Sequence, residues 1–332
     1  METGSRKKRV TTEGFLGIFI IIILVGLYFT AGGTQGFFSI QNIMTVLRMF
    51  SALFIASIGM TMIIITGNID ISVGAVVSVI AVVMAAISLT GAGIAVFLPV
   101  GMIVGGILCA INAFLMTKFN IPSLVITLAT MQIFNGALLW AVDGSLYGLG
   151  PNWTWFSFEA IFFNYVPLYV IIVAVLLVAS LLFFKYSRFI KRLYAIGNNV
   201  QGARYAGINV EKTLIIAYFI AGVLLAFSSV IFATFGTRVT TTVGNLFEMR
   251  VIAAVIVGGT SALGGSGKIY GTALGALLLS IISPALVHLG INTFWMDFFL
   301  GTIIVIAVIF SALKNIDFKS NFSKIAKKEA NS

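Results

Sequence analysis

Charged side chains, cysteine and histidine are all scarce in this sequence of 332 residues. Only 9% of the residues are charged and 60% are hydrophobic, whereas soluble domains carry about 25% charged residues. A soluble fold of this size could not bury so much apolar surface, but a lipid bilayer is already the preferred solvent for it. The sequence also has five prolines and long uninterrupted apolar runs. It therefore predicts an all-α membrane protein rather than strands that alternate apolar and polar residues.

The single cysteine and the single histidine leave little room for catalysis or metal binding. Cys109 stands alone in an apolar stretch, which excludes a disulfide framework and a thiol metal site. His288 has no serine or cysteine partner in a recognisable catalytic motif, and we interpret it as an interfacial residue rather than a proton carrier. We therefore expect neither a metal site nor an enzyme activity in this chain.

A nucleotide-binding loop is also missing from the sequence. Gly267 and Lys268 resemble the end of a phosphate-binding loop, whose full form is G-x-x-x-x-G-K-[S/T]. Here Ala262 occupies the first position and Ile269 the last. We therefore expect no cofactor in this chain and an energy source on another polypeptide.

Basic residues outnumber acidic ones by 20 to 10, which gives a net charge of +10. They cluster at both ends of the chain and in one central loop, beside apolar segments, as positive-inside topology signals do. The clusters comprise residues 6–9; Lys185, Arg188, Lys191, Arg192, Arg204 and Lys212; and Lys314, Lys319, Lys324, Lys327 and Lys328. This placement predicts membrane orientation and argues against nucleic-acid binding.

Nine or ten segments are long enough to cross a bilayer, which takes about 20 apolar residues. They are 15–31, 43–66, 71–90, 92–117, 123–142, 165–184, 213–235, 249–263, 269–289 and 294–313. The eighth is short and flanked by glycine, so it is either a full span or a broken, re-entrant helix. A count of eight spans, without 249–289, also keeps both chain ends inside. We thus predict eight to ten spans in a domain at 15–313, between cytoplasmic tails at 1–14 and 314–332.

Two connections between the predicted spans are longer than a turn. Residues 143–164 are rich in aromatic side chains, which favours a position along the outer membrane surface. Residues 185–212 lie on the cytoplasmic side of the predicted topology. Long structured loops tend to carry function, so we expect a functional role for the second connection.

Two polar, glycine-rich breaks interrupt the apolar sequence, at 66–74 and 258–267. In the first, Asp70 or Ser72 either caps the following helix or lines a solute path, as broken helices do in transporters. The two breaks occupy comparable places in the two halves of the chain, which suggests an inverted repeat.

Other polar residues within the predicted spans are few. Glu248 and Arg250 precede the second break. They either pair with each other or with another subunit at the outer mouth or, as is commoner for two charges at a rim, are solvated there. The scarcity of intramembrane charge predicts a neutral or nearly neutral solute. The polar side chains within the spans that could contact the solute are Asn112, Thr127, Gln132, Asn135 and Ser228. Hydrogen bonding between helices is nevertheless the commoner role of such residues.

Three ordered motifs resemble those of the ribose-type ABC importer permeases. The segment GNIDISVG at 67–74 is similar to the family's GGIDLSVG motif, and YAIGNNVQGARYAGINV at 194–210 resembles its cytoplasmic coupling segment. The stretch EMRVIAAVIVGG at 248–259 resembles a third motif, which leads into a glycine-rich run. Details such as Asn68, and Trp295 with Asp297, are similar to the autoinducer-2 branch of the family. The resemblance covers residues 15–313.

This resemblance implies a bacterial inner-membrane permease subunit that imports autoinducer-2 or a related small sugar. It implies three partners: a separate ABC ATPase that binds ATP, an extracytoplasmic solute-binding protein, and a second permease subunit, identical or related. Carried onto this sequence, the coupling segment predicts ATPase contact by Gly197, Asn198, Gln201, Gly202, Ala203, Arg204 and Gly207. The other two motifs predict a translocation path with Asn68, Asp70, Ser72, Glu248, Gly258 and Gly259.

Two alternatives stay open at this point. A ribose- or rhamnose-type sugar permease of the same family would differ only in its solute, which the sequence does not identify. An ion-coupled secondary transporter would need a relay of intramembrane carboxylates or histidines. Asp70 and Asp297, both near predicted helix ends, are the candidates for such a relay.

Overall fold

The computed structural model describes residues 37–142, 147–150, 153, 160–162, 166–233 and 238–291, together with positions 295, 298, 301, 302 and 305. The described chain is almost entirely helical, so the all-α prediction is confirmed. Two short antiparallel strand pairs join β1 (Tyr147–Gly148) to β4 (Arg238–Val239) and β2 (Ala160–Phe162) to β3 (Val166–Pro167). The helices are α1 (Ile40–Ile65), α2 (Val73–Leu89), α3 (Ile94–Phe119), α4 (Ser123–Val142), α5 (Leu168–Tyr186), α6 (Arg188–Asn198), α7 (Val200–Tyr205), α8 (Val210–Ala233), α9 (Phe247–Val257) and α10 (Ile269–His288).

Six of the described helices, α1, α3, α4, α5, α8 and α10, are long and apolar enough to cross a membrane. Each overlaps a predicted span, and α4 begins and ends at the predicted residues. The prediction of a polytopic membrane protein is thereby confirmed. The predicted span 15–31, both tails, most of 294–313 and most of the aromatic connection 143–164 lie outside the described residues.

The eighth predicted span is not a full span. In place of 249–263, the structure has α9, a helix of 11 residues that ends at Val257 and is followed by Gly258. At 1.5 Å per residue this helix is about 16 Å long, roughly half of the hydrocarbon thickness. The re-entrant alternative therefore applies. Helix α10 lies within 249–289, the pair that the eight-span alternative omits, and it is one of the six span-length helices.

Close helix packing in the bundle rests on small residues. Every residue of α1 from Ser51 to Ile65 is buried. A Cβ at Gly59 would lie 2.8 Å from the Cα of Ala221 on α8. Where α3 crosses α8, a Cβ at Gly105 or at Gly222 would overlap the backbone of the other. Glycines at such crossings let helices approach closely enough for dispersion contacts to stabilise them in lipid.

One end of the bundle carries α6, α7 and residues 258–268, and we call it the α6 end. The α1 and α3 helices end there and α4 and α10 begin there, as shown by hydrogen bonds from Gly265 N to Ile65 O and from Ile69 N to Ser123 Oγ. The described basic residues at this end are Lys118, Lys185, Arg188, Lys191, Arg192, Arg204, Lys212 and Lys268, whereas Arg48, Arg238 and Arg250 lie elsewhere. The positive-inside rule therefore predicts that the α6 end faces the cytoplasm.

Candidate translocation and coupling sites

The first polar break returns the chain from the α6 end to about mid-depth in the bundle. Helix α1 stops where the Thr66 hydroxyl bonds to Ile63 O and Gly67 adopts a φ of +82°, a conformation that suits glycine. Helix α2 has 17 residues, whereas its neighbour α3 has 26. The two helices are joined by a short turn at the far end, so α2 starts about 13 Å from the α6 end.

Asp70, Ser72 and Asn112 form a buried polar cluster at this depth. Asp70 Oδ1 accepts hydrogen bonds from Ser72 N at 2.8 Å and from Ser72 Oγ at 2.6 Å. Asn112 Nδ2, on α3, donates to Ser72 Oγ at 2.8 Å. Asp70 therefore fixes the turn before α2 through its contacts with Ser72, whose own side chain makes no cap bond. Asp70 Oδ2, Asn112 Oδ1 and the hydroxyl of Tyr218 have no hydrogen-bond partner among the described residues.

Helices α2 and α9 both start inside the bundle, and we call them the half-helices. Helix α9 begins against the start of α2. Gly244 N donates to Ser78 Oγ at 2.9 Å, and a Cβ at Gly74 or at Gly244 would overlap the backbone of the other. Glu248 packs over Gly74 and is only 6% exposed. The interpretation of Glu248 as a solvated charge at the outer mouth is therefore wrong, because the segment before α9 turns inward and carries it to mid-depth.

The two half-helices run to opposite ends of the bundle from this meeting point. Helix α2 runs away from the α6 end, whereas α9 runs towards it, and Gly258 at its end packs on Gly271 near the start of α10. Broken helices that meet in opposite directions are typical of inverted repeats. The segment 240–246 precedes α9 as 66–72 precedes α2, whereas the segment 258–267 contacts Ile65 and Gly67 at the α6 end.

The predicted path residues are accordingly separated in space. Asp70, Ser72 and Glu248 lie at the meeting point of the half-helices, and Asn68 is half-buried at the start of the break, where its Nδ2 donates to Thr66 Oγ1. Gly258 and Gly259 lie at the far end of α9, near the α6 end. Sequence reasoning missed 240–246, although its Thr-Val-Gly triplet parallels the Ser-Val-Gly triplet at 72–74.

Helix α6 is an amphipathic helix attached to the α6 end. Its buried side chains Ile190 and Leu193 belong to an apolar cluster with Met62, Ile65 and Ala217 of α1 and α8. Ser187 caps it by accepting from Phe189 N at 3.1 Å. The apolar stripe explains why this charged segment is helical rather than an irregular loop.

Three contacts join α6 to the glycine-rich segment 258–267. The Tyr194 hydroxyl donates to Gly267 O at 2.6 Å, and Asn198 Nδ2 donates to Gly265 O at 3.4 Å. Gly197 lies so close to Ile65 O and Gly265 N that a Cβ there would overlap both. Among the predicted coupling residues, Gly197 and Asn198 therefore hold α6 in place.

The remaining predicted coupling residues lie on or beside α7. Asn199 caps this short helix by accepting from Gly202 N at 2.8 Å, and Gly207 ends it with a φ of +78°. Ala203 is buried, whereas Gln201, Gly202 and Arg204 are exposed, and Arg204 pairs with Glu211 at 2.6 Å. Tyr205 is 90% exposed beside them, a position that sequence reasoning did not single out.

The polar residues considered within the spans fall into two groups. Asn112, Thr127 and Ser228 are buried, and Ser228 donates to Ala52 O at 2.7 Å, which is the interhelical role expected of such residues. Gln132, by contrast, is exposed on α4, and Asn135 beside it is half-exposed.

Comparison with known proteins identifies the family. Residues 42–308 match the family described as "Branched-chain amino acid transport system / permease component". The chain is 32% identical to the ribose import permease protein RbsC of Bacillus subtilis (strain 168), over 94% of this chain and 98% of that protein. It is 31% identical to the autoinducer 2 import system permease protein LsrC of Photorhabdus luminescens, over 87% of this chain and 90% of that protein. No solved structure matches the chain. The chain belongs to this family of ABC transporter permeases and is a multi-pass protein of the bacterial inner membrane.

Proposed function

We propose that this chain is the permease subunit of an ATP-driven ABC importer for autoinducer-2 or a related small sugar. The observation that carries the ATP-driven part is the arrangement of α6 and α7 at the cytoplasmic end. One side of this pair packs against Ile65 and is hydrogen-bonded to Gly267, while the other exposes Gln201, Gly202 and Tyr205. Because this surface is exposed and firmly attached to the bundle, a partner bound to it could pass its own movement on to the transmembrane helices.

The solute class rests on the relatives. Import permeases for ribose and for autoinducer 2 are about equally similar to this chain, which supports a small sugar or a sugar-like molecule. A ribose-type importer is therefore the second candidate. We expect the choice between the solutes to depend largely on the extracytoplasmic binding protein.

A second permease subunit, identical or related, would complete the translocation path. Gln132 and Asn135 present amide groups on the exposed side of α4, and an amide left unpaired in hydrocarbon costs several kcal/mol. These groups favour a partner subunit or water beside α4. The break at 66–72 lies directly behind α4, since Ile69 N donates to Ser123 Oγ at 3.2 Å.

Reconstitution into vesicles tests the proposal. We expect uptake of autoinducer-2 or ribose when the chain is combined with its ATPase and binding protein and supplied with ATP, in the absence of an ion gradient. Vesicles that contain the ATPase without this chain serve as the control. Uptake that needs a proton or sodium gradient but no ATP would instead establish the secondary-transporter alternative.

A substitution on α7 tests the coupling assignment separately. A Cβ at Gly202 would meet only Asn199, at 3.4 Å or more, so Gly202→Arg should insert and fold. We expect it to separate ATP hydrolysis from uptake because the arginine projects from the ATPase-facing surface. Gly93→Arg is the matched control, since Gly93 is also open and lies at the opposite end of α3. Normal coupling in Gly202→Arg would move the ATPase contact elsewhere.

A further inference from the structure

A pocket of about 370 Å³ opens at the cytoplasmic end between α6, the α7–α8 turn and the first turns of α8. Its floor is a fixed piece of backbone. Gly207 holds a φ of +78°, and Asn209 caps α8 by accepting from Lys212 N at 2.9 Å. The pocket is therefore a shaped feature of the fold, bounded by two helices and a capped turn.

The charged side chains that line this pocket are both basic. Arg192 and Lys212 both line it, and neither forms a salt bridge within the described ranges, where Arg204 and Glu211 make the salt bridge. The Asn209 side-chain oxygen is already used by the cap, which leaves its amide nitrogen as a further donor. Two cations and an amide donor, with no carboxylate in the lining, favour an anion with several oxygen atoms, such as a phosphate group.

The apolar lining continues from this polar floor towards the lipid. Phe189, Ile208 and Ile216 complete the walls. Ile216 is 47% exposed on α8, one of the helices that are long and apolar enough to span the membrane. It lies six residues into α8, about 9 Å from the start of the helix. A ligand in this pocket would therefore have its anionic group at the membrane surface and an apolar part along the bilayer-facing side of α8.

We propose that this pocket binds the phosphate headgroup of an anionic phospholipid from the cytoplasmic leaflet. Arg192, Lys212 and the Asn209 amide would hold the phosphate, and an acyl chain would lie along Ile216. Basic pockets between membrane helices on the cytoplasmic side are suited to such headgroups. The proposal does not depend on the solute or on the ATPase, and it would hold for an ion-coupled transporter as well.

Native mass spectrometry of the full-length chain, titrated with phosphatidylglycerol or phosphatidylcholine, tests this site. The two exposed cations have no described salt bridge, so the double variant Arg192→Gln/Lys212→Gln should fold. Each charge-assisted hydrogen bond to the phosphate contributes at least about tenfold in affinity, so the double variant should bind phosphatidylglycerol about a hundredfold more weakly. Lys185→Gln/Lys191→Gln removes the same charge from the same end outside the pocket, and it should leave this binding unchanged.

The other outcomes would each overturn the proposal. Equal weakening by both double variants would indicate diffuse attraction to the basic end, and equal binding of phosphatidylcholine would exclude an anionic site. If glycerol phosphate displaces phosphatidylglycerol at equal concentration, or if Ile216→Ser leaves lipid binding unchanged, the site takes free phosphate rather than a lipid. If the Arg192 and Lys212 variant retains lipid but binds the ATPase more weakly, the pocket is a protein contact.

Discussion

The hydrogen bond from Tyr194 to Gly267 gives a direct test of how α6 is attached to the bundle. Tyr194→Phe removes only the hydroxyl, which donates to Gly267 O at 2.6 Å in a half-buried position. A hydrogen bond of this kind contributes about 1 kcal/mol net. Its loss should raise the population in which α6 separates from residues 258–267 by about fivefold.

Hydrogen exchange measured by mass spectrometry reports this population for α6 and for residues 258–268. The amide of Gly265 is the most informative, because it donates to Ile65 O at 2.8 Å and Gly197 of α6 packs directly over this bond. We expect its exchange in Tyr194→Phe to be about fivefold faster than in the unmodified chain. Tyr205→Phe removes the same hydroxyl from a side chain that is 90% exposed, so its exchange should match that of the unmodified chain. Unchanged exchange in Tyr194→Phe would refute the reasoning, as would equal acceleration in both variants.

The contact should also depend on pH in a defined direction. Burial, and then the neighbouring Tyr270 hydroxyl, raises the pKa of Tyr194 above its ordinary value, which is about 10 for tyrosine. The protonated phenol is the form that donates to Gly267 O. Its contribution is therefore fully present below the ordinary pKa and is lost as the pH rises through the raised one. Slow exchange of the Gly265 amide, after correction for the intrinsic rate, should persist across the neutral range.

Three further substitutions test the packing and the polar cluster. Gly222→Ala should destabilise the chain by about 1–3 kcal/mol, because the new Cβ overlaps the backbone of α3. Thermal unfolding in detergent measures this loss of stability. Gly136→Ala is the control, because its new Cβ enters open space. Asp70→Ala should cost about 1–3 kcal/mol in the same assay by leaving a buried N–H and hydroxyl unpaired, and Asp70→Asn, which keeps an acceptor, should cost less. Gly197→Ala should displace α6 and reduce uptake per ATP hydrolysed, whereas Gly202→Ala should not; equal behaviour of the two would contradict the tight contact at Gly197.

Local sequence patterns predict the long helices well. Helix α4 starts directly after Pro122 and ends at Val142, as predicted, because proline suits the position before a helix and the apolar run is uninterrupted. The amphipathic α6 lies in the connection for which a functional role was expected, and its buried face is formed by Ile190, Leu193 and Ile196. Such features depend on residues that are close together in the chain.

The depth of a residue in the membrane depends on long-range contacts, and here the sequence was a poorer guide. Glu248 follows a polar run and precedes an apolar helix, which is the pattern of an ordinary membrane surface. Its burial arises because Gly244 contacts α2, 166 residues away from the Ser78 hydroxyl to which it bonds. The same contact brings the starts of α2 and α9 together. The residues around Gly74 and Gly244 do not indicate that these two glycines come into contact.

The half-helix α9 offers a short route from the cytoplasmic end to mid-depth. Its last residues lead into segment 258–267, which is held by bonds from Ser261 N to Ser266 O and from Gly265 N to Ile65 O, and which Tyr194 ties to α6. Its first turn carries Glu248 against Gly74, beside the cluster that contains Asp70. An α-helix of 11 residues is stiff over its length of about 16 Å, so a displacement of α6 would reach the polar cluster at mid-depth without bending a full span. If this route operates, Tyr194→Phe should lower uptake per ATP hydrolysed while leaving ATPase binding intact. A proportional loss of binding and uptake would instead place the function of Tyr194 in the docking surface itself.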